Sequence, residues 1–344
     1  GGNIIAQGTV EQLIHDKNSK IGRFLDKAER PPVRQQAESA KMFEYGAITL
    51  KTGAIHTVKP LEAKIPKRRL TVVTGVSGSG KTTLVLESLV PALEARSCGK
   101  KMPEHIISID ADGIDQVKLI DATPIGINVR STVATYANVH DELRKIFART
   151  GEISLDVQFL PDVDIPCPDC RGSRYGKDAG LIHFVCSDGR SLTLPQIMSM
   201  DIHTALYACR DMKLVCQRLE VLEELGLGYL TLGEETPSLS GGEAQRLKLA
   251  SEMGKVQTDS VFVFDEPTIG LHPLDVATLI GIFNTLIEHG ATVIVIEHDL
   301  DVIKNADYII DMGPGGGEAG GRIVACGTPE EIKDNSQSIT GRFI

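Results

Sequence analysis

The stretch GVSGSGKT at 75–82 sets a lysine and a threonine behind three closely spaced glycines, a combination suited to phosphate. Glycines let the chain curl until successive N–H groups face one anion, and a helix starting there adds partial positive charge. Lys81 is spaced to reach the β- and γ-phosphates of a nucleoside triphosphate, ATP or GTP, and the Thr82 hydroxyl to ligate Mg2+. The expected binding set is Gly75, Ser77, Gly78, Ser79, Gly80, Lys81, Thr82 and Thr83.

Two further constellations complete the chemistry. Asp265 and Glu266 end the apolar run VFVF at 261–264. Asp265 suits Mg2+ through its water shell, and Glu266 suits a general base that polarises the attacking water. A third apolar run, Thr292–Ile296, ends in Glu297 and His298, where the histidine fits a γ-phosphate sensor that also holds the catalytic carboxylate and water. In LSGGEAQR at 239–246, Ser240, Gly241 and Gly242 stand just before a helical run and offer N–H groups and a hydroxyl to an anion.

These residues need rigid carriers. Leu70–Thr74 is β-branched and apolar enough for a buried strand leading into the glycine turn. A helix is expected after it, with Leu84, Leu86, Leu89, Val90 and Leu93 on its apolar side and Pro91 near its end. Strands ending in loops that carry charge, alternating with helices, give an α/β fold.

The octapeptide LSGGEAQR is the ABC signature, and the chain resembles the UvrA family of ABC ATPases along nearly its whole length. The likeness is carried by GVSGSGKTTL (75–84), PIGINVRSTVATY (124–136), FLPDVDIPCPDCRGSRY (159–175), LSGGEAQRLKLA (239–250) and DEPTIGLHPLD (265–275). It continues through IEHDLDVIKNADYIIDMGPGGGEAGGRIVACGTPEE (296–331). The RS-x-x-ATY segment, the LPDV-x-x-PC-x-x-C stretch and the IIDMGP-like tail separate it from ABC transporters.

The resemblance implies a P-loop fold of ABC type with an inserted, largely helical signature and DNA-binding subdomain. It implies ATP sandwiched between two modules, with Ser240, Gly241 and Gly242 closing on the γ-phosphate held by a partner and 270–272 lying beside the partner's site. The implied role is damage recognition in nucleotide excision repair, on double-stranded DNA, as a homodimer working with a UvrB-like repair partner, the endonuclease step belonging to partner proteins. An ABC exporter subunit and a UvrA-like protein that sequesters a DNA-binding drug are the alternatives.

Two departures from the family stand out. The family's second module carries a zinc site of two C-x2-C pairs, and here Cys167 and Cys170 are the one pair present. Half a tetrahedral site does not hold structural Zn2+. His183 and Cys186 would complete C-x2-C-x12-H-x2-C, but a truncated insert with free thiols, or a stretch deleted or left out between Phe147 and Ile153, is the favoured reading. The second departure is Ala122, which stands where the family has the glutamine that links the γ-phosphate to the insert.

The chain has no initiator Met, and its first 25 residues repeat its last 25 without a gap, 11 of them identical. That repeat points to two ATPase modules in tandem. The expected division is 1–40 as the tail of a preceding module plus a linker, 41–138 as the first part of the core, 139–235 as the insert and 236–344 as the second part.

Bulk properties set limits. The net charge of −10 supplies no general footprint for DNA, so contact falls to local groups: Lys59, Lys64, Lys67, Arg68 and Arg69, or Arg171, Arg174 and Lys177. Absence of Trp and 4% aromatics favour reading the duplex through its backbone and deformability. No apolar run approaches the roughly 18 residues that span a bilayer, so no membrane partner and a cytoplasmic location are expected.

Overall fold

The computed structural model describes residues 4–25, 34–125, 131–151, 175, 180–253 and 257–344. It forms two compact units, residues 1–117, 259–261 and 270–344 in the first, 118–258 and 262–269 in the second. The second unit therefore takes in the signature helix and the carboxylate turn together with the insert.

The core of the first unit is the strand Leu70–Gly75, buried along five of its six residues. It lies parallel to Tyr308–Gly313 on one side and to Thr292–Ile296 on the other, and Arg322–Gly327 closes that edge antiparallel. Leu70, Val72, Val73 and the whole run Val293–Ile296 are fully buried, as expected of strands covered on both faces. A second, antiparallel sheet runs in the order Leu61–Pro66, Ala47–Thr52, Ile106–Asp110. Its middle strand alternates, turning Ile48, Leu50 and Thr52 inward.

The helix after the glycine turn differs from the expected single run. Residues Thr83–Leu89 form a π-helix, and Pro91 sits in the first turn of a separate α-helix, Val90–Cys98. Proline has no N–H and its ring crowds the preceding turn, so it suits a helix start better than an interior. The wider π-turn lets the chain restart there, with Val90 N–H donating to the Val85 carbonyl.

Residues 34–37 are fastened to this unit. Arg34 Nη1 meets Asp307 Oδ1 at 2.9 Å with both side chains buried, and Gln36 Nε2 donates to the Lys304 and Ala306 carbonyls. The other oxygen of Asp307 accepts the Leu70 N–H at 2.7 Å, and Oδ1 also accepts that of Ala37 at 2.8 Å.

The second unit is mainly helical among its described residues, in line with the expected insert. Val139–Gly151, Leu194–Met198, Ile202–Ala208, Lys213–Glu224 and Gly241–Glu252 are its main helices, with a small hairpin at Phe184–Val185 and Ser191–Leu192. Leu143, Phe147, Leu194, Leu219, Leu222 and Leu247 are buried in it. The strands Gln116–Ile120 and Ser260–Asp265 are neighbours, and Lys118 bonds Glu252 at 2.8 Å while lying over the Phe262 ring. No helix among the described residues is long and apolar enough to cross a membrane.

Candidate functional site

The phosphate loop follows the Leu70–Gly75 strand in the first unit, where the sequence placed it. Gly75 has φ 133°, and a Cβ there would lie 2.0 Å from the Met312 carbonyl oxygen, so no other residue fits that exit from the strand. Lys81 Nζ donates to the carbonyls of Gly75 and Val76 at 2.9 and 3.2 Å, which holds the ammonium over the turn. Thr82 is exposed, whereas the Thr83 hydroxyl donates to Glu87 Oε1 at 3.1 Å. Glu87 also takes a 2.9 Å hydrogen bond from His56, and that bond holds its carboxyl below the usual range.

The glycine-rich segment 313–321 braces this loop from behind, a role the sequence reading missed. Gly317 N–H donates to the Gly78 carbonyl at 3.1 Å and Gly321 N–H to that of Ser79 at 3.0 Å, while the Gly321 carbonyl accepts Lys59 N–H. A Cβ on Gly316 would stand 2.6 Å from the Ser77 carbonyl oxygen. Those hydrogen bonds hold the Gly78 and Ser79 carbonyls on the far side of the turn, and within it the Ser79 N–H closes on the Val76 carbonyl at 3.2 Å. The signal was available: five glycines in GPGGGEAGG besides its first mark backbone in close approach. Ser79 is fully buried, and its Oγ has no hydrogen-bond partner among the described residues. A curled glycine turn, a poised lysine and an orphaned hydroxyl fit a polyphosphate.

At the end of the adjoining Thr292–Ile296 strand, Glu297 is fully buried and accepts the N–H groups of His298 at 2.7 Å and Asp299 at 3.0 Å. That clasp turns the chain and presents His298, whose side chain is 66% exposed and 3.7 Å from Glu297 Oε2. Burial raises the Asp299 carboxyl, against the helix N–H of Val302 that it accepts.

The second unit holds the other two constellations. Asp265 ends its strand, and Glu266 follows with φ 45°. A non-glycine residue in the left-handed region is strained, and such strain is common where a side chain is being aimed. Gln245, buried within the signature helix, donates to the Ile120 carbonyl at 2.9 Å and the Asp265 carbonyl at 3.0 Å. It thereby fixes the carboxylate turn to the signature helix, a link the sequence reading did not assign.

At that helix's start Ser240 accepts the Glu243 N–H at 3.4 Å, and Glu243 Oε2 accepts the Ser240 N–H at 2.7 Å, a full capping box. Burial raises the Glu243 carboxyl, but hydrogen bonds from Tyr229 and Ser240 outweigh it, and the net shift is downward. The Tyr229 hydroxyl is pushed up to about 12, by burial first and then by Glu243. A Cβ on Gly241 would lie 3.1 Å from that of Ala122, so the alanine at the family's glutamine position rests against the signature turn. Beside it Lys248 binds Asp121 and Thr123 Oγ1; burial raises the Asp121 carboxyl, and Lys248 turns the net shift downward.

Cys167, Cys170, Arg171, Arg174, Lys177 and residues 126–130 lie outside the described residues. His183 Nδ1 pairs with Ser191 Oγ at 3.0 Å, and burial pushes the Cys186 thiol up, against the thiolate that zinc needs. The first basic group is largely occupied within the protein. Lys67 donates to the Asp112 carbonyl, Arg68 lies 3.7 Å from Asp259, Arg69 lies 3.7 Å from Glu44, and Lys64 sits over the Phe43 ring.

No family model matches the sequence. UvrABC system protein A of Staphylococcus epidermidis is 38% identical over 378 positions, covering all of this chain and 39% of that protein. The Bacillus subtilis protein of the same name is 39% identical over 378 positions, again covering the whole chain and 38% of the relative. The crystal structure of UvrA2 from Deinococcus radiodurans superposes with a TM-score of 0.83 at 34% identity, covering 100% of this chain and 44% of that one. The chain thus spans about two fifths of the length of these curated relatives. From its first residue to its last, this chain belongs to the UvrA family.

Proposed function

We propose that the chain is an ATP-binding and ATP-hydrolysing module of a UvrA-like damage sensor in nucleotide excision repair, cytoplasmic and paired with a preceding module in one polypeptide. The observation that carries the reading is the braced glycine loop with the poised Lys81 and the orphaned Ser79 hydroxyl, on a chain that matches the family end to end.

In this reading Gly75–Thr82 hold the phosphates through backbone N–H groups, and Lys81 balances their charge. Thr82 and Asp265 are the residues that would hold Mg2+, which when bound neutralises charge building on the phosphate oxygens. Glu266 orients and deprotonates water, and His298 steadies both. Ser240, Gly241 and Gly242 present amides to the γ-phosphate of a partner module. The nucleotide state then biases paired modules between grips on double-stranded DNA; a UvrB-like protein is the repair partner, and incision falls to partner proteins. Zinc has no part in the proposal.

Glu266→Gln is the direct test. It should keep ATP affinity, read by calorimetry with magnesium, while turnover falls at least 100-fold, within the range of lost general-base catalysis. Ordinary turnover by that variant refutes the base. Binding to damaged against intact duplex across a salt series tests the DNA reading, which requires a preference that outlasts screening.

A further inference from the structure

The duplication at the two ends of the chain is also a duplication in three dimensions. Thr9 N–H donates to Gln12 Oε1 and Gln12 N–H returns to Thr9 Oγ1, at 2.8 and 3.3 Å. Their counterparts Thr328 and Glu331 make the same reciprocal pair at 2.8 and 3.3 Å. Asn18 N–H bonds Asp16 Oδ1 at 2.8 Å, and Gln337 N–H bonds Asn335 Oδ1 at 2.9 Å. Gly22 N–H meets Ser19 Oγ at 2.9 Å, and Gly341 N–H meets Ser338 Oγ at 2.8 Å. Phe24 and Phe343 close the two tails with matching backbone hydrogen bonds, to Ile21 and Thr340.

The two tails differ in what their last aromatic ring meets. The second tail is locked to its own module, since Ser338 and Thr340 both donate to the buried Asp311 on the Tyr308–Gly313 strand, and its Phe343 stands 64% exposed. In the first tail the Phe24 ring meets the His272 ring edge-on, centroids 5.9 Å apart and planes at 84°, a favourable aromatic geometry. His272 heads the helix Pro273–Glu288, its carbonyl accepting the Asp275 and Val276 N–H groups. It follows the carboxylate pair by six residues in sequence.

We propose that the closing tail of each module is a strap for the module beside it: Phe24 seats on His272 here, and Phe343 seats on the corresponding loop of the preceding module. This rests on the tandem reading above. If Phe24 belongs to the tail of a preceding module, its ring is a contact by which one module holds the loop that follows the other's carboxylates. The repeat makes the arrangement reciprocal, because the second tail carries the counterpart Phe343 with its ring uncovered. Phe24 is a positioning residue, acting on the loop through His272 and touching no nucleotide.

The test replaces Phe24 or Phe343, one at a time, with the photoreactive p-benzoylphenylalanine in the tandem polypeptide, and maps the adducts by peptide mass spectrometry. The expected adducts join position 24 to residues 270–273, and position 343 to the equivalent loop of the preceding module. Adducts of position 24 elsewhere, or of position 343 with a second copy of the polypeptide, overturn the proposal. Absence of any adduct at either site overturns it too. The adducts form without turnover, so a protein that strapped normally but failed to bind ATP would refute the proposed function and leave the strap standing. Kinetics give a second readout. Phe24→Ala should lower kcat three- to tenfold with KM for ATP within twofold, and Phe24→Tyr should restore it; an unchanged kcat in Phe24→Ala overturns the positioning role.

Discussion

The two turns to which the proposed function gives phosphate are stabilised in opposite ways. The phosphate loop is held from outside, by N–H groups of Gly317 and Gly321 on its carbonyls and by the Met312 carbonyl packed where a Gly75 side chain would be. The signature turn is closed from within, Ser240 and Glu243 of one helix satisfying each other. A cradle built on borrowed backbone keeps its shape before any ligand arrives, which is preorganisation. A turn that caps its own helix leaves Ser240 and Gly241 facing out, exposed, ready for something supplied by another module. The first should therefore tolerate no methyl group that meets its carbonyls from behind, and the second should tolerate modest change.

The contrast can be broken in several places. Lys81→Ala removes the cation over the loop and should weaken ATP about 100-fold by calorimetry, roughly 2.7 kcal/mol; a loss under tenfold contradicts the cradle. Gly316→Ala forces a methyl group to within 2.6 Å of the Ser77 carbonyl oxygen, and the KM for ATP should rise about tenfold, or 1.4 kcal/mol. Its control is Gly317→Ala, where no atom lies within 4 Å of an added Cβ and the penalty is the left-handed φ of 61°. That variant should lose about 1 kcal/mol of stability and keep KM within twofold. Equal effects on KM from the two would dissolve the claim that the brace acts by contact.

On the signature side the effects are smaller and fall on stability. Gln245→Ala strips a buried donor from two carbonyls and should cost about 2 kcal/mol in denaturant unfolding, with ATP affinity unchanged. Ser240→Ala removes one cap hydrogen bond, about 1 kcal/mol. Its cost should shrink in acid. The Glu243 carboxyl is held below its ordinary 4.5, so the stability it contributes is complete above that value and is lost as pH falls through the lower folded one. A Ser240→Ala deficit that grows in acid would argue against the capping box.

How much of this was legible beforehand divides along the same line. The strand before the phosphate loop, the VFVF strand and the Thr292–Ile296 strand were readable because buried parallel strands are short apolar runs with a polar end. The turns were readable because their residues do local work, glycines at 75, 78 and 80 and a capping serine at 240. What escaped was long-range. Nothing near Gln245 announces that its amide will reach residue 120, 125 positions away, and a buried glutamine in a helix reads as a surface residue. The brace at 313–321 was visible as glycine density and assigned to family likeness alone. Pro91 was read as a helix end because a π-turn just before it has no sequence signature of its own.

One carboxylate ties residues 34–37 to the Leu70–Gly75 strand. Asp307 grips Arg34 and the Ala37 amide with one oxygen and the amide of Leu70 with the other. Leu70 opens the strand that ends in the phosphate loop. Pulling residues 34–37 away from that strand would strand a buried charge, which costs several kcal/mol. The stretch leading into the core and the strand that runs into the glycine turn are therefore pinned together at one buried carboxylate.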